Sequence, residues 1–258
     1  MSGFLFHETI YGPVYSRRLG VSLGVNLMPT HAKYCTFDCI YCECGWNISE
    51  KENHKMPSRE EVSQLLDEKL NNMKQQGTVA DTITFAGNGE PTLHPDFNAI
   101  INDTINLRDK YFPLCKISVL SNTTMLHKAE VVAALMKVDQ NILKLDAGTE
   151  EMFQMINQPG GKITLRQVVD GIKQFSENLI VQTMFLRGEY HGKMIDNTTD
   201  TEVEAWMKLI KEINPPLVMI YPIDRETPVS NIEKISEKEL EAIAAKIRKM
   251  GIQINVYG

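Results

Sequence analysis

Residues 33–45 read KYCTFDCIYCECG and place cysteines at positions 35, 39, 42 and 44. The chain of 258 residues has five cysteines, and the fifth, Cys115, stands apart beside an apolar run, where it is expected to be a core residue. Because the count is odd and four thiols fall within ten residues, a metal centre is favoured over a disulfide framework. The CxxxCxxC spacing predicts that Cys35, Cys39 and Cys42 converge in one loop.

Two kinds of metal centre are compatible with this loop. Thiolates are the usual ligands of iron–sulfur clusters, and a [4Fe–4S] cluster held by Cys35, Cys39 and Cys42 would keep one iron open to a ligand from outside the protein. A structural zinc site would instead use Cys44 as a fourth thiolate. The loop lacks the two-plus-two cysteine spacing of such zinc sites, which favours the cluster and leaves Cys44 without a ligand role.

Outward from this loop, apolar runs of strand length alternate with longer amphipathic stretches, a pattern typical of βα units around a parallel sheet. The predicted strands are residues 21–27, 82–86, 117–120, 141–145, 179–185 and 217–221, with 252–256 as a short addition. The predicted helices are residues 58–76, 95–110, 128–136, 165–177, 201–213 and 236–250. Such units form an open doubly wound sheet or a partial barrel, and in both the loops at the carboxyl ends of the strands line the active site. We expect one domain over residues 1–258, because no linker or repeat interrupts the pattern.

The composition, 43% hydrophobic and 23% charged, is that of an ordinary globular protein. A formal net charge of −6 disfavours nucleic-acid partners, which require clustered basic residues. No apolar run approaches the roughly 20 residues that span a bilayer, and the start, MSGFLFHETI, lacks the pattern of a secretory signal. We therefore expect a cytoplasmic protein that does not bind membranes.

A second motif lies in residues 82–97, TITFAGNGEPTLHPDF, where a predicted buried strand ends in Gly87, Asn88, Gly89 and Glu90. Glycines lack a Cβ atom, so such a turn lets the backbone approach a ligand closely. A tight connection between a strand and a helix would have the same composition. The turn alone leaves both interpretations open.

Together these motifs resemble those of the radical S-adenosylmethionine (SAM) superfamily. CTFDCIYC is similar to the superfamily signature CxxxCxφC, with Tyr41 in the aromatic position near the adenine, and GNGE is similar to a GGE-like motif that binds the amino group of SAM. The resemblance implies an α/β fold, a partial (β/α)6 barrel of parallel strands with a cluster loop after the first strand. It also implies a [4Fe–4S] cluster on Cys35, Cys39 and Cys42, with SAM chelating the open iron.

Weaker matches extend the implied SAM site to later strands. SNTTM at residues 121–125 resembles a turn near the methionine end of SAM, and LKLDAG at residues 143–148 offers Lys144 and Asp146 for the carboxylate and ribose hydroxyls. A structural salt bridge would explain that pair equally well. Met184 is at a position that borders ribose or adenine in the superfamily. The SAM-binding residues implied by the resemblance are Tyr41, Gly87, Asn88, Gly89, Glu90, Ser121, Asn122, Lys144, Asp146, Gln182, Tyr221 and Ile223.

The resemblance also implies the chemistry. An external electron donor such as flavodoxin or ferredoxin reduces the cluster, which cleaves the sulfonium of SAM. The resulting 5′-deoxyadenosyl radical abstracts hydrogen from a substrate. The cofactors carry the difficult steps, so the protein supplies position and a dry, sealed cavity.

YGPVYSRRLGVSLGVNLMP at residues 11–29 and IDRETP at residues 223–228 resemble the wyosine synthases, which rebuild a guanine of transfer RNA. Those enzymes carry extra cysteines for a second cluster, which Cys44 and Cys115 cannot supply. Together with the negative charge, this difference favours a small-molecule, peptide or protein substrate over RNA. A non-catalytic metal-binding module remains as a third interpretation.

Candidates for substrate binding come from loops. Paired guanidinium groups at Arg17 and Arg18 suit a carboxylate or a phosphate, although solvated surface charges would look the same. The polar stretch 187–200, RGEYHGKMIDNTTD, is predicted to be a loop long enough to cover a substrate. The substrate-loop candidates are Arg17, Arg18, Arg187, Asp224 and Arg225.

Overall fold

The computed structural model describes residues 3–47 and 55–258 of the protein. Its strands are β1 (Ile10–Ser16), β2 (Gly20–Val25), β3 (Thr82–Phe85), β4 (Lys116–Ser121), β5 (Gln140–Lys144), β6 (Leu179–Met184), β7 (Leu186–Tyr190), β8 (Lys193–Asp196), β9 (Leu217–Tyr221), β10 (Ile232–Lys234) and β11 (Ile254–Val256). Its helices are α1 (Arg59–Gln75), α2 (Phe97–Tyr111), α3 (Ala129–Leu135), α4 (Glu150–Asn157), α5 (Leu165–Ile172), α6 (Asp200–Ile213) and α7 (Glu237–Arg248).

The main sheet has eight strands in the order β1-β2-β3-β4-β5-β6-β9-β11. β1 and β2 are antiparallel, and every neighbouring pair from β2 to β11 is parallel. The sheet curls into a half-barrel, so the predicted partial barrel is confirmed and the open doubly wound sheet is excluded. The parallel arrangement brings the loops after β2 to β6 and β9 to one end of the sheet.

The two faces of the sheet bury different sets of side chains, because successive residues of a strand point to opposite faces. One set joins the large core that also contains the apolar faces of the helices, such as Leu66 of α1. The other set forms a small separate cluster of Ile142, Ile180 and Met219. This second face lines the inside of the half-barrel, where it supports the candidate site.

The turn between β1 and β2 reaches the opposite edge of the sheet. Arg17 pairs with Asp224, just after β9, at 3.1 Å and donates to the carbonyl oxygen of Gly258. Leu19 packs against the small inner cluster, as does Tyr257 beyond β11. The hairpin therefore bridges the gap between the first and last strands of the half-barrel.

Several elements differ from the sequence-based expectations. β1, α4 and the three-stranded sheet in the order β10-β7-β8 were not predicted. The prediction of a loop over residues 187–200 is wrong, because β7 and β8 form a hairpin there. Its turn is made by His191 and Gly192, both with positive φ. α5 is also shorter than predicted, since it ends at Ile172. Across the described segments, no helix combines the length and apolar character that a bilayer crossing requires.

Candidate active site

The cysteine loop, residues 33–45, follows β2 and is fixed from two sides. Tyr34 forms an isolated bridge with Gly89 of the glycine turn, and the Tyr34 amide donates to the Asn88 carbonyl at 2.8 Å. On the other side, the Ile40 amide donates to the Ile156 carbonyl of α4 at 3.0 Å. Both contacts are backbone hydrogen bonds, which pair the polar groups of the loop with those of its neighbours. The loop is thus held between the turn after β3 and the end of α4.

Cys35, Cys39 and Cys42 line one cavity at the carboxyl ends of the strands. Two side-chain amides point at their sulfurs. The Nδ2 of Asn122 donates to Cys35 Sγ at 3.4 Å, and the Nδ2 of Asn157 donates to Cys39 Sγ at 3.4 Å. Donors of this kind favour the thiolate form, and hydrogen bonds to sulfur tune the potential of iron–sulfur clusters.

A buried lysine supplies positive charge to the same loop. The Lys33 ammonium donates to the Gly45 carbonyl at 3.0 Å and to Asp38 at 3.2 Å. Burial opposes its charge, but the neighbouring thiols, Cys42 foremost, more than offset this and raise the pKa of Lys33. Burial raises the pKa of Cys35 to about 12, while Lys33 opposes that shift. Lys33 therefore partly balances the negative charge that three thiolates bring.

The fourth thiol of the loop lies in this cavity as well. Cys44 Sγ is 3.5 Å from the Gly87 carbonyl oxygen, and its hydrogen bond with Cys42 lowers the pKa of Cys42. Within residues 3–47 and 55–258, no three Cys, His, Asp or Glu side chains are placed to hold a single metal ion. Cys115 is buried in the core, as expected from the sequence.

Two glycines of the turn after β3 line the cavity, and the packing explains both. A Cβ atom on Gly89, whose φ is +147°, would lie 1.8 Å from the Tyr34 carbonyl oxygen. A Cβ atom on Gly87 would lie 2.3 Å from the Asn26 side-chain oxygen. The loop and the turn can therefore meet only because Gly89 lacks a side chain, whereas the missing side chain of Gly87 leaves room for Asn26 just after β2.

The other two residues of the turn differ in their surroundings. Asn88 is absent from the described residues that line the cavity, because its side-chain amide donates to the carbonyls of Phe6 and Pro29 at 2.8 and 2.9 Å. Glu90 lines the cavity and accepts hydrogen bonds from the Ser121 hydroxyl at 2.9 Å and from the backbone amide of Asn122 at 2.6 Å. Burial raises the pKa of Glu90, and these hydrogen bonds oppose the rise. Glu90 thus ties the glycine turn to the end of β4.

Tyr41, Lys144 and Asp146 form one buried network. The Tyr41 hydroxyl donates to Asp146, and the Lys144 ammonium lies 2.5 Å from the Tyr41 oxygen and 3.4 Å from Asp146. Asp146 also accepts from the side-chain amide of Asn157 and the backbone amide of Met184, both at 2.9 Å. Tyr41 and Lys144 line the cavity, whereas Asp146 is behind them. Lys144 and Asp146 therefore form a structural ion pair, which also presents the Lys144 ammonium to the cavity.

Residues of the last strands close the remaining side of the cavity. Gln182, Met184 and Tyr221 line it, together with Arg18 from the β1–β2 turn. Ile223 is absent from the described residues that line the cavity. The predicted cofactor residues are therefore brought together apart from Asn88, Asp146 and Ile223.

Four of the five substrate-loop candidates are outside this lining, and Arg18 alone of the five is within it. Each of the four forms an ion pair with a described residue. Besides the Arg17–Asp224 pair, Arg225 meets Glu43 of the cysteine loop at 2.8 Å, and Arg187 meets Glu239 at 2.7 Å. The pairs at Arg17 and Arg187 join structural elements, whereas that at Arg225 touches the rim of the site.

Sequence reasoning did not identify Lys33, Glu43 or Asn157 as site residues. Lys33 and Glu43 belong to the quoted loop, so a search for charges beside the cysteines would have found them. Asn157 is far from Cys39 along the chain and ends a helix that was not predicted. Nothing in its local sequence indicates the contact with the thiol.

These residues suit a [4Fe–4S] cluster and SAM, because three sulfurs line a cavity that a side-chain-free glycine turn also borders. A profile of the radical SAM superfamily matches residues 30–210. The chain belongs to the radical SAM superfamily, whose cofactors are a [4Fe–4S] cluster and SAM.

Three relatives show how the chain compares in length. A protein named GTPase Obg from Brachyspira hyodysenteriae is 32% identical over 91% of this chain and 32% of its own length. UPF0026 protein MJ1312 of Methanocaldococcus jannaschii is 32% identical over 80% of this chain and 60% of its own length. UPF0026 protein slr1464 of Synechocystis is 30% identical over 92% of this chain and 91% of its own length. The chain thus spans less than two thirds of the first two.

Solved structures share the fold at low identity. Streptococcus suis SuiB bound to SAM has a TM-score of 0.62 and 15% identity, over 88% of this chain and 49% of that chain. Another structure of SuiB contains its precursor peptide SuiA. Archaeal TYW1 has a TM-score of 0.55 and 12% identity, over 88% of this chain and 71% of that chain. These similarities show the half-barrel fold alone.

Proposed function

We propose that the protein is an enzyme that reductively cleaves SAM and abstracts hydrogen from a small-molecule, peptide or protein substrate. When bound, the cluster and SAM supply an electron and a 5′-deoxyadenosyl radical. The observation that carries the proposal is that Cys35, Cys39 and Cys42 line one cavity with Gly87 and Gly89. Superfamily membership supports the radical chemistry. The substrate class is our inference.

In this proposal the three cysteines hold the cluster, and the side-chain amides of Asn122 and Asn157 orient two of the sulfurs. The glycine turn would give the methionine end of SAM access to backbone groups, since no Cβ atom blocks it. On the opposite side, Gln182, Met184 and Tyr221 line the cavity, where they would border the nucleoside and exclude water.

In this proposal Tyr41 positions the cofactor and does not transfer a proton. Burial and the neighbouring Asp146 raise the pKa of Tyr41 well above its usual value, so the hydroxyl keeps its proton at neutral pH. That proton is donated to Asp146. The ring is therefore fixed as an uncharged wall of the cavity, which suits contact with an adenine face.

An external electron donor such as flavodoxin or ferredoxin completes the proposal, because cluster reduction needs an electron that the chain itself cannot supply. A peptide substrate has a parallel in SuiB, which has been crystallised with a precursor peptide. A cytoplasmic location and a single domain over residues 1–258 remain predictions.

RNA base modification is a second candidate, supported by the sequence resemblance of residues 11–29 and 223–228 to wyosine synthases. The likeness to archaeal TYW1 supports the fold alone. A net charge of −6 opposes this candidate, since phosphate neutralisation requires basic residues. Binding of transfer RNA that weakens steeply with rising salt would favour it over the first candidate.

Anaerobic reconstitution with iron and sulfide tests the proposal. We expect a brown protein with about four irons per chain that forms 5′-deoxyadenosine from SAM under dithionite. Replacing Cys35, Cys39 or Cys42 individually by alanine should abolish this cleavage. The matched control is Cys115→Ala, in which a buried cysteine outside the cavity is lost. A colourless zinc protein, or full cleavage by any of the first three variants, would contradict the proposal.

A further inference from the structure

Arg18 stands inside the half-barrel between two cavities. It lines the active-site cavity together with Cys39 and Gln182. It also lines a second cavity of ≈ 650 Å³, which reaches Thr82 and Gln140 at the amino ends of β3 and β5. The guanidinium is therefore at the base of the active site, where a substrate lying beneath the cysteine loop would meet it.

Neutral groups hold the Arg18 side chain in place. Its Nη1 donates to the side-chain oxygen of Gln182 at 2.8 Å, and its Cζ lies 4.3 Å from the centroid of the Tyr221 ring. The Tyr221 hydroxyl donates to the same Gln182 oxygen at 3.2 Å. Hydrogen bonding and stacking on an aromatic ring fix the plane of a guanidinium without neutralising it.

Arg18 differs from every other arginine of the chain in its charge partners. All eight arginines lie in the described residues, and seven of them form ion pairs: Arg17, Arg59, Arg108, Arg166, Arg187, Arg225 and Arg248. Arg18 pairs with no carboxylate among residues 3–47 and 55–258. A half-buried cation without a counter-charge is costly, which indicates that a ligand supplies the missing anion.

We propose that Arg18 binds an anionic group of the substrate, a carboxylate or a phosphate. Only one of its five N–H donors is used by Gln182, so the guanidinium keeps donors for a two-point contact with such a group. This inference rests on the proposed function, because the SAM site defines where the substrate lies. Gln182 and Tyr221 belong to β6 and β9, whereas the glycine turn and Asn122 follow β3 and β4. Arg18 therefore contacts the side of the cavity opposite the glycine turn, which would hold the methionine end of SAM.

Calorimetric titration of the anaerobically reconstituted holoprotein, saturated with SAM, tests the proposal with sodium phosphate and sodium acetate as probes. We expect saturable binding of at least one anion to the wild type. Arg18→Gln should weaken that binding by about tenfold or more, since it removes a charge-assisted contact. Arg18→Lys, which keeps the charge but loses the planar fork, should fall between. Arg59→Gln, which removes an exposed arginine from its pair with Asp103, is the control and should bind as the wild type does.

The comparison of phosphate with acetate identifies which anion the substrate carries. Absence of saturable binding to the wild type, or equal affinity in Arg18→Gln, would overturn the proposal. A tenfold loss of SAM affinity in Arg18→Gln would assign the guanidinium to the cofactor and overturn it as well. If Arg18→Gln fails to load its cluster, the anion affinity of Arg18→Lys is compared with that of Arg59→Gln, and equal affinities would overturn the proposal. Failure of SAM cleavage by the wild type would refute the proposed function separately.

Discussion

Removing the Asp146 carboxylate is expected to destabilise the fold strongly. In Asp146→Ala, the Lys144 ammonium, whose side chain is 17% exposed, loses its counter-ion at 3.4 Å. The hydroxyl of Tyr41 and the amides of Asn157 and Met184 lose their common acceptor. Burial opposes the charge of Lys144, and Asp146 is the main group that offsets it and raises the pKa of Lys144. The substitution therefore leaves an uncompensated cation and three unsatisfied donors.

Breaking one partner of a buried ion pair costs about 3–5 kcal/mol in the free energy of unfolding. For a protein of this size, each kcal/mol shifts the melting temperature by about 2–4 °C, so we expect a loss of roughly 6–20 °C. Lys144→Met should cost less, because Asp146 keeps its hydrogen bonds from Tyr41, Asn157 and Met184. The double variant Lys144→Met/Asp146→Asn should recover part of the stability lost in Asp146→Ala, since neither charge then remains.

The assay is urea or thermal unfolding of the reduced protein, followed by far-ultraviolet circular dichroism. The control is Asp200→Ala, which removes an exposed ion pair with Lys246 at 2.9 Å. Solvent screens that pair, so its loss should be small beside that of Asp146→Ala. Equal stability of the two alanine variants would refute the assignment of Asp146 as the carboxylate that offsets Lys144.

Three further predictions concern single residues. Gly89→Ala should prevent cluster loading, because its Cβ would lie 1.8 Å from the Tyr34 carbonyl oxygen. The control is Gly77→Ala, which has open space around it and should load iron normally. Equal iron contents of the two variants would contradict this prediction. Hydrogen bonds from Ser236 and Arg187 lower the pKa of Glu239 from 4.5 to about 2. The stability that Glu239 contributes is therefore present above pH 4.5 and lost as the pH falls toward 2. Glu239→Gln should reduce the change in the free energy of unfolding between these pH values, measured by urea unfolding. An unchanged pH dependence would refute the assignment. Cys44→Ala should retain about four irons per chain; loss of iron would make Cys44 a ligand.

Much of the half-barrel could be predicted from the sequence because buried parallel strands are continuous apolar runs. β6 was expected at residues 179–185 and occurs at Leu179–Met184. β1 escaped this criterion, since it carries a proline and exposes side chains such as Tyr15, at 82%. α4, of eight residues, was also not predicted.

Site residues within local motifs could likewise be predicted, whereas those brought in by tertiary contacts could not. The cysteines and the glycine turn are local motifs that follow predicted parallel strands, so the predicted topology and the family resemblance placed both at the carboxyl end of the sheet. Asn157 reaches Cys39 from 118 residues away, and Arg18 enters the cavity through a hairpin that was not predicted. Asn88 was expected at SAM but anchors the N-terminal segment through Phe6, because side-chain direction does not follow from a four-residue motif. Tertiary contacts decide these positions.

Electron paramagnetic resonance of the dithionite-reduced, reconstituted protein tests the central claim most directly. A cluster held by Cys35, Cys39 and Cys42 keeps one iron for SAM, so adding SAM should change the g values of the reduced cluster. The same spectrum with and without SAM would contradict the account, as would a protein that holds zinc and gives no cluster signal.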